Sequence, residues 1–277
     1  MISFFANIFG YVLNWFYGVV GNYGLAIILF SIVLKLIMLP ISIKQQKTMK
    51  KSAKIQEKMR VLQDKYKNNP EKLNQETLEL YKTEKMSPFS GCFSAIAQIL
   101  ILFAVFYLVR SPLTYMKKVD AELINQYTNE IQQSAEGKKT TYPEIAVIKQ
   151  KGEEDEKIYI NMDFLGLDLS SVPTQSLNDW RVYIIPALYV LTSFISMRMT
   201  TSMQTKKKGE KDEKTETNEL DAVAQANKSM SYIMPIMSVS IAIIAPLGLA
   251  LYWLISNLLM IVERLILNRF LRNEEEA

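Results

Sequence analysis

Histidine is absent from the 277-residue sequence, and cysteine occurs once, as Cys92. Without histidine the chain can form neither a His-based catalytic triad, nor a histidine proton relay, nor an HExxH metal site. A single cysteine cannot form an intrachain disulfide or a cysteine-based zinc cluster. No GxxxxGK[ST] phosphate-binding loop occurs, so nothing in the sequence indicates nucleotide use. We therefore expect a protein that is not an enzyme and that needs no cofactor or metal.

Charge is also missing from long stretches of the chain. The charge-free windows are residues 1–34, 86–109, 182–197 and 229–262. A transmembrane helix needs about 20 predominantly apolar residues, and the last window is long enough for two helices that turn at Pro246 and Gly248. The mean hydropathy of only +0.05 reflects polar loops that dilute these windows. The pattern predicts an all-α, polytopic membrane protein with five transmembrane helices.

The windows divide the chain into spans and connecting segments. The predicted spans are residues 22–43, 87–109, 182–199, 231–246 and 247–267. The predicted connecting segments are a cytosolic basic helical hairpin (44–86), an extracytoplasmic loop (110–181), a cytosolic linker (200–230) and a cytosolic tail (268–277). Residues 1–21 are predicted to form an amphipathic helix at the outer membrane interface, with a sixth span or a signal anchor as alternatives. Within the loop, residues 144–161 are predicted to form a small β-hairpin.

The distribution of Lys and Arg predicts the orientation. Segment 44–86 holds twelve basic residues against six acids, whereas loop 110–181 holds nine against twelve. Because cytoplasmic loops carry an excess of Lys and Arg, we expect the N-terminus outside and the C-terminus in the cytosol. The basic hairpin is then a surface for anionic lipid or a docking arm for an arriving polypeptide, and its charge alone does not separate these interpretations.

Lys35 is the first charged residue in the chain and lies inside the apolar stretch 24–43. A cation at membrane depth costs roughly 3 kcal/mol on insertion scales, and such residues normally face a protein interior or a water-filled cavity. Two interpretations are open. The lysine stem can snorkel to the inner interface, or the ammonium projects into a hydrated cavity between helices. Ser31, one turn earlier on the same helix face, supports the second interpretation.

Further polar and aromatic side chains lie inside the second, third and fifth predicted spans. They are Gln98, Ser196, Tyr252, Trp253 and Asn257. Taken singly, such residues are typical of hydrogen bonds between transmembrane helices or of interfacial aromatics. Together with Lys35 and Ser31 they predict a hydrated cavity that several spans share.

Four segments, in order and with family-like spacing, resemble the bacterial membrane protein insertases of the YidC/Oxa1/Alb3 type, in their Gram-positive, five-span form. They are NYGLAIILFSIVLKLIMLPISIKQQKTMKK (22–51), the hairpin and second span (68–109), DFLGLDLS (163–170), and the closing helical pair (234–269) with its LYWLISN signature. The correspondence covers most of residues 22–270.

The resemblance implies a multi-pass protein of the bacterial cell membrane that inserts and folds integral membrane proteins. It implies a hydrophilic groove that is open to cytosol and lipid and closed toward the outside. The family's groove arginine falls on Lys35, and further groove or substrate-contact positions fall on Ser31, Gln98 and Trp253. The family's paired glutamines after the SN motif are Glu263 and Arg264 here. The implied partners are nascent membrane proteins, with the Sec translocon and the ribosome as further candidates; no nucleic-acid site is evident.

Two other functions remain open at the level of sequence. A secondary transporter or channel could use Lys35 as an ion site, although it would be expected to show inverted repeats, which this sequence lacks. A non-catalytic scaffold subunit of a membrane complex could pair Lys35 with an acid of its partner.

Overall fold

The computed structural model of the protein describes residues 2–85, 90–134, 141–204 and 240–276, with side chains described for 2–85, 98–133, 141–199 and 240–269. The described residues form two compact units. The first falls within Met1–Ile37, Gln98–Ser193 and Ser238–Ala277, and the second within Met38–Ala97 and Phe194–Met237.

Helices make up nearly all of the regular structure in these residues. They are α1 (Ile2–Val20), α2 (Tyr23–Lys65), α3 (Pro70–Thr83), α4 (Ser90–Arg110), α5 (Ala121–Ser134), α6 (Pro143–Lys151), α7 (Ile184–Gln204) and α8 (Leu247–Glu276). A π-helical turn covers Leu113–Lys117, and 3-10 turns cover Pro173–Gln175 and Trp180–Tyr183. The strands β1 (Asp163–Phe164) and β2 (Leu167–Asp168) form one antiparallel pair.

Four of the described helices are long and apolar enough to cross a membrane. They are Ile2–Val20, Tyr23–Lys65, Trp180–Met199 and Leu247–Arg269. Helix α4 adds a shorter apolar stretch, Gln98–Arg110. The predicted fold class, an all-α polytopic membrane protein, is confirmed.

The fourth predicted span, residues 231–246, lies mostly outside the described residues, as does most of the linker 200–230. The chain is described again from Ser240, is helical over 240–244, and leaves helical geometry at Ala245 and Pro246 before α8 begins. At the other end of the chain, α2 joins the first predicted span and the first arm of the hairpin in one helix that contains Pro40.

The second unit contains the basic hairpin, which α3 closes. Asn69 is the N-cap of α3, and its side chain accepts a hydrogen bond from the Lys72 amide at 3.1 Å, while Pro70 occupies the first turn. This is the helix start that an Asn-Pro pair favours. Near the end of α3, Glu84 forms an ion pair with Lys58 of α2 at 2.5 Å. An ion pair therefore joins the two arms of the hairpin.

The β-hairpin predicted for residues 144–161 is wrong. Residues 143–151 form helix α6, whose buried side chains include Ile145 and Val147. Pro143 at the start of the segment is preorganised for the first turn of a helix, and this signal outweighs the short β-branched run. The strand pair lies later, at 163–168, where Leu165 and Gly166 both have positive φ, as a two-residue hairpin turn requires.

Residues 158–173, which we call the cap segment, hold the beginning of α8. The Leu247 amide donates to the Ser171 carbonyl at 2.9 Å, and the Gly248 amide donates to the Leu169 carbonyl at 3.0 Å. The first amides of a helix have no acceptor within the helix. The cap segment supplies these acceptors and thereby fixes where α8 starts.

The cap segment also holds the beginning of α2. The Tyr23 amide donates to the Asn161 carbonyl at 3.0 Å. The Phe164 side chain lies so close to Gly24 that a Cβ there would be 2.4 Å from the Phe164 Cδ2. Helices α2 and α8 therefore begin at the same end of the first unit.

A buried carboxylate on α6 holds the turn that follows α4. Glu144 accepts hydrogen bonds from the Thr114 amide at 3.0 Å and from the Thr114 hydroxyl at 2.7 Å. Burial raises the pKa of Glu144, and the hydrogen bonds from Thr114, Leu113 and Ser111 oppose that rise. Glu144 thus fixes the π-helical turn to α6 through the hydrogen bonds from Thr114.

Helix α1 buries one face of the helix and exposes several of its aromatic residues. Ala6, Gly10 and Leu13 are buried, whereas Tyr11 and Trp15 are each 64% exposed. A Cβ on Gly10 would lie 1.9 Å from the Tyr115 carbonyl oxygen. Only glycine allows this approach of the two backbones.

We expect Gly10→Ala to lower the free energy of unfolding by about 2 kcal/mol, the cost typical of an overpacked contact. The alanine must push the Tyr115 backbone away, which outweighs its helix propensity advantage of about 1 kcal/mol over glycine. Gly18→Ala is the matched control, since nothing lies within 4 Å of a Cβ at that position. The thermal unfolding midpoint in detergent measures both, and equal midpoints for the two variants would contradict the packing of α1.

Candidate functional site

Helix α8 meets α2 at two levels in the first unit. Close to the cap segment, the Tyr252 ring lies 6.4 Å from the Phe30 ring, measured between centroids. Farther from it, the Lys35 Nζ lies 2.5 Å from the Glu263 Oε2. At 1.5 Å per residue, Lys35 is about 18 Å along α2 from Tyr23, and Glu263 is about 24 Å along α8 from Leu247. Both distances are shorter than the thickness of a hydrocarbon core, about 30 Å.

The Lys35–Glu263 pair is largely removed from solvent. The Glu263 side chain is 7% exposed and the Lys35 side chain 26% exposed. Two charges that are removed from water lose their hydration and gain one direct contact, so the pair contributes little net stability. Removal of one partner is costly, because the other charge then stays buried without that contact. Arg264, the next residue on α8, also interacts electrostatically with Glu263.

The other face of α8 contacts α7. The Trp253 ring lies 5.6 Å from the Tyr189 ring between centroids. One turn later, the Asn257 side-chain amide donates to the Ser193 hydroxyl at 2.7 Å. Such a side-chain hydrogen bond is a usual connection between membrane helices. Helix α8 thus carries three of the six predicted site residues of the first unit, namely Tyr252, Trp253 and Asn257.

The remaining predicted residues have different surroundings. Ser31 is buried and donates to the Ile27 carbonyl of its own helix at 2.7 Å. Gln98 is exposed on α4. Ser196 is buried in the second unit. The structure joins Lys35 to α8 and Asn257 to α7, while the Ser31 hydroxyl is satisfied locally.

Two polar atoms on α8 are buried without a hydrogen-bond partner among the described residues. They are the indole Nε1 of Trp253 and the Oε1 of Glu263. Buried polar atoms are normally paired, so each such atom calls for an explanation. One is a donor and the other an acceptor, and both belong to residues in contact with neighbouring helices.

Sequence reasoning did not identify Glu263 as the partner of Lys35. The usable signal was its position: Glu263 is the first charged residue after the window 229–262, near the end of the last predicted span. An intramembrane cation normally pairs with another group. Among the described residues, no cluster of three or more Cys, Asp or Glu side chains could hold a metal ion.

Known proteins are similar to this chain over nearly its whole length. The family described as 60Kd inner membrane protein matches residues 15–275. A protein named membrane protein insertase YidC 2, from Listeria innocua, is 29% identical over 283 residues, which cover 100% of this chain and 71% of that protein. A membrane protein insertase YidC from Caldanaerobacter subterraneus is 26% identical over 260 residues, covering 94% of this chain and 92% of that protein.

Some relatives are much longer. A membrane protein insertase YidC from Syntrophobacter fumaroxidans is 28% identical over 269 residues, which are 96% of this chain and only 38% of that protein. The matched range 15–275 includes α2, the cap segment, α4, α7 and nearly all of α8. The chain therefore belongs to the 60Kd inner membrane protein family, the family of the YidC insertases.

Proposed function

We propose that this protein is a membrane protein insertase, which inserts and folds integral membrane proteins through a hydrophilic groove open to cytosol and lipid. The observation that carries the proposal is the ion pair between Lys35 and Glu263, which joins two helices that are long and apolar enough to cross a membrane. Relatives of the chain are named membrane protein insertases. Ionisable residues within membrane helices are rare and usually mark a functional pathway. The activity requires no covalent chemistry, so no catalytic residue is proposed.

The groove would be closed at the end of the cap segment. There the starts of α2 and α8 are hydrogen-bonded to the cap segment, and the surrounding side chains Tyr23, Leu247 and Leu249 are buried. The polar groups, Lys35 and Glu263, lie about 18 Å and about 24 Å along the same helices from these starts. This asymmetry supports a cavity that is hydrated from the cytosol and sealed from the outside.

Lateral release of the substrate is supported by exposed apolar side chains. Leu36 and Ile37 on α2, Leu191 on α7 and Leu265 on α8 are all exposed. In a membrane these side chains face lipid at low cost. A polar substrate segment would occupy the groove, and burial of the substrate's own apolar helix in lipid would drive insertion.

The orientation we propose follows from the basic segments. Segment 44–86 would lie in the cytosol, where its lysines can meet anionic lipid, and the cap segment would lie outside with the N-terminus. Helix α1 would lie at the outer interface, with Tyr11 and Trp15 toward the headgroups.

Cysteine labelling tests this orientation in a Cys92→Ser background. Cysteines at Lys67 and Lys157 should react with a membrane-impermeant maleimide from opposite sides of the membrane. Labelling of both positions from the same side would overturn the orientation.

Site-specific crosslinking tests the proposed activity. A photo-crosslinking residue at Trp253 or Gln98 should capture a ribosome-bound nascent membrane protein, because both positions would line the groove. The same residue at Lys157, exposed in the extracytoplasmic loop, is the control and should capture none. Crosslinks of equal yield at all three positions, or none at Trp253 and Gln98, would contradict an insertase and favour a transporter or a scaffold subunit.

A further inference from the structure

Glu263 is held in the fold by one direct polar contact within the described residues. Its Oε2 lies 2.5 Å from the Lys35 Nζ, and its Oε1 is buried without a hydrogen-bond partner. A carboxylate fixed for structural reasons usually has both oxygens satisfied, as Glu144 has through Thr114. The half-satisfied carboxylate is therefore suited to a partner that can be exchanged.

The pair changes what Lys35 offers to a substrate. A free ammonium would attract any acidic side chain, but the Lys35 ammonium already has a counterion on α8. An arriving carboxylate must displace Glu263 or share the ammonium with it, and two carboxylates at one cation repel each other. Specificity of this kind, in which a built-in group acts against one class of ligand, is common in selective sites.

We propose that Glu263 is a specificity-determining residue: an internal counterion that Lys35 exchanges for an acidic side chain in the substrate's translocated segment. The inference rests on the proposed insertase function. Glu263 limits how strongly acidic segments are preferred over neutral ones, since acidic segments gain the Lys35 contact only when the resident pair opens. The partner is thus a membrane protein segment that carries Asp or Glu on its translocated side.

Insertion into proteoliposomes that contain only the purified chain tests this role. Two substrates would differ at one residue of the translocated segment, Asp in one and Asn in the other, and protease protection would measure the inserted fraction. The quantity compared between variants is the acidic-to-neutral insertion ratio. The chain variants would be wild type, Glu263→Gln, Glu263→Asp, Lys35→Met and the double variant Lys35→Met/Glu263→Gln.

We expect Glu263→Gln to raise the ratio about threefold or more, within the range that a partly exposed ion pair contributes. Glu263→Asp keeps the charge and should keep the wild-type ratio. Lys35→Met should give the lowest ratio, because the Glu263 carboxylate then faces the acidic segment without the Lys35 ammonium. The double variant should exceed Lys35→Met in ratio, and this comparison holds even if Glu263→Gln alone does not accumulate. Glu154→Gln is the control, since it removes one partner of an exposed ion pair with Lys151.

A wild-type ratio in Glu263→Gln, a ratio raised equally by Glu263→Asp, or a double variant no better than Lys35→Met would each overturn the role of Glu263. A wild-type chain that inserts neither substrate would contradict the proposed function itself. The two failures are therefore distinguishable in the same experiment.

Discussion

Lys35→Met is expected to reduce insertion of substrates with acidic translocated segments about tenfold, the change that corresponds to 1.4 kcal/mol. Lys35→Arg should retain insertion, because arginine keeps the cation and adds hydrogen-bond donors. Substrates with neutral translocated segments should be affected less. The measurement is the protease-protected fraction of each substrate in proteoliposomes.

The physical reason lies in what the methionine leaves behind. Methionine matches the length and apolar stem of lysine but removes the ammonium that is in direct contact with the buried Glu263 carboxylate. Breaking a buried pair typically costs 3–5 kcal/mol, and we expect less here because the Lys35 side chain is 26% exposed. Part of the cost falls on stability, and part appears as repulsion of acidic segments by Glu263.

Lys35→Met/Glu263→Gln separates these two parts, since it removes both charges of the Lys35–Glu263 pair together. The variant should recover the unfolding midpoint that Lys35→Met loses. If Lys35→Met inserts acidic and neutral substrates as well as wild type does, Lys35 is only an interfacial anchor and the groove needs no cation.

The all-α, apolar character of the fold could be predicted from sequence because bilayer thickness sets the minimum length of an apolar span. Charge-free windows overlap α2, α4, α7 and α8 without any knowledge of their contacts. The ion pair could not be found in this way. Lys35 and Glu263 are far apart in sequence, and their contact depends on how α2 and α8 are aligned by the cap segment, which no local pattern specifies.

Local patterns also failed where two structures compete for the same residues. The run from Glu144 to Ile148 fits a strand by composition, and the structure makes it helix α6. Tertiary contacts favour the helix, because Glu144 accepts a hydrogen bond from Thr114 and the side chains of Ile145 and Ile148 are buried. In the same way, the predicted polar stripe from Ser31 to Lys35 did not anticipate that Ser31 would donate to its own helix.

Glu144→Ala is expected to lower the free energy of unfolding by about 2 kcal/mol or more, because the Thr114 amide and hydroxyl lose their buried acceptor. Glu144→Gln keeps one acceptor oxygen and should lose less. Glu156→Ala, which removes an exposed acid from the same loop, is the control and should leave the midpoint unchanged. The thermal unfolding midpoint of the purified chain in detergent is the measurement.

The pH dependence of this effect has a definite sign. Burial raises the pKa of Glu144 in the folded chain, so the folded state binds the proton more tightly than the unfolded state does. The resulting stabilisation is fully present below the unfolded-state pKa and is lost as pH rises through the folded-state pKa. As pH rises from about 4, near the ordinary pKa of glutamate, the wild-type midpoint should fall relative to that of Glu144→Gln. Midpoints that stay parallel across this range would contradict a raised pKa for Glu144 and would mean that the hydrogen bonds from the turn after α4 offset the effect of burial.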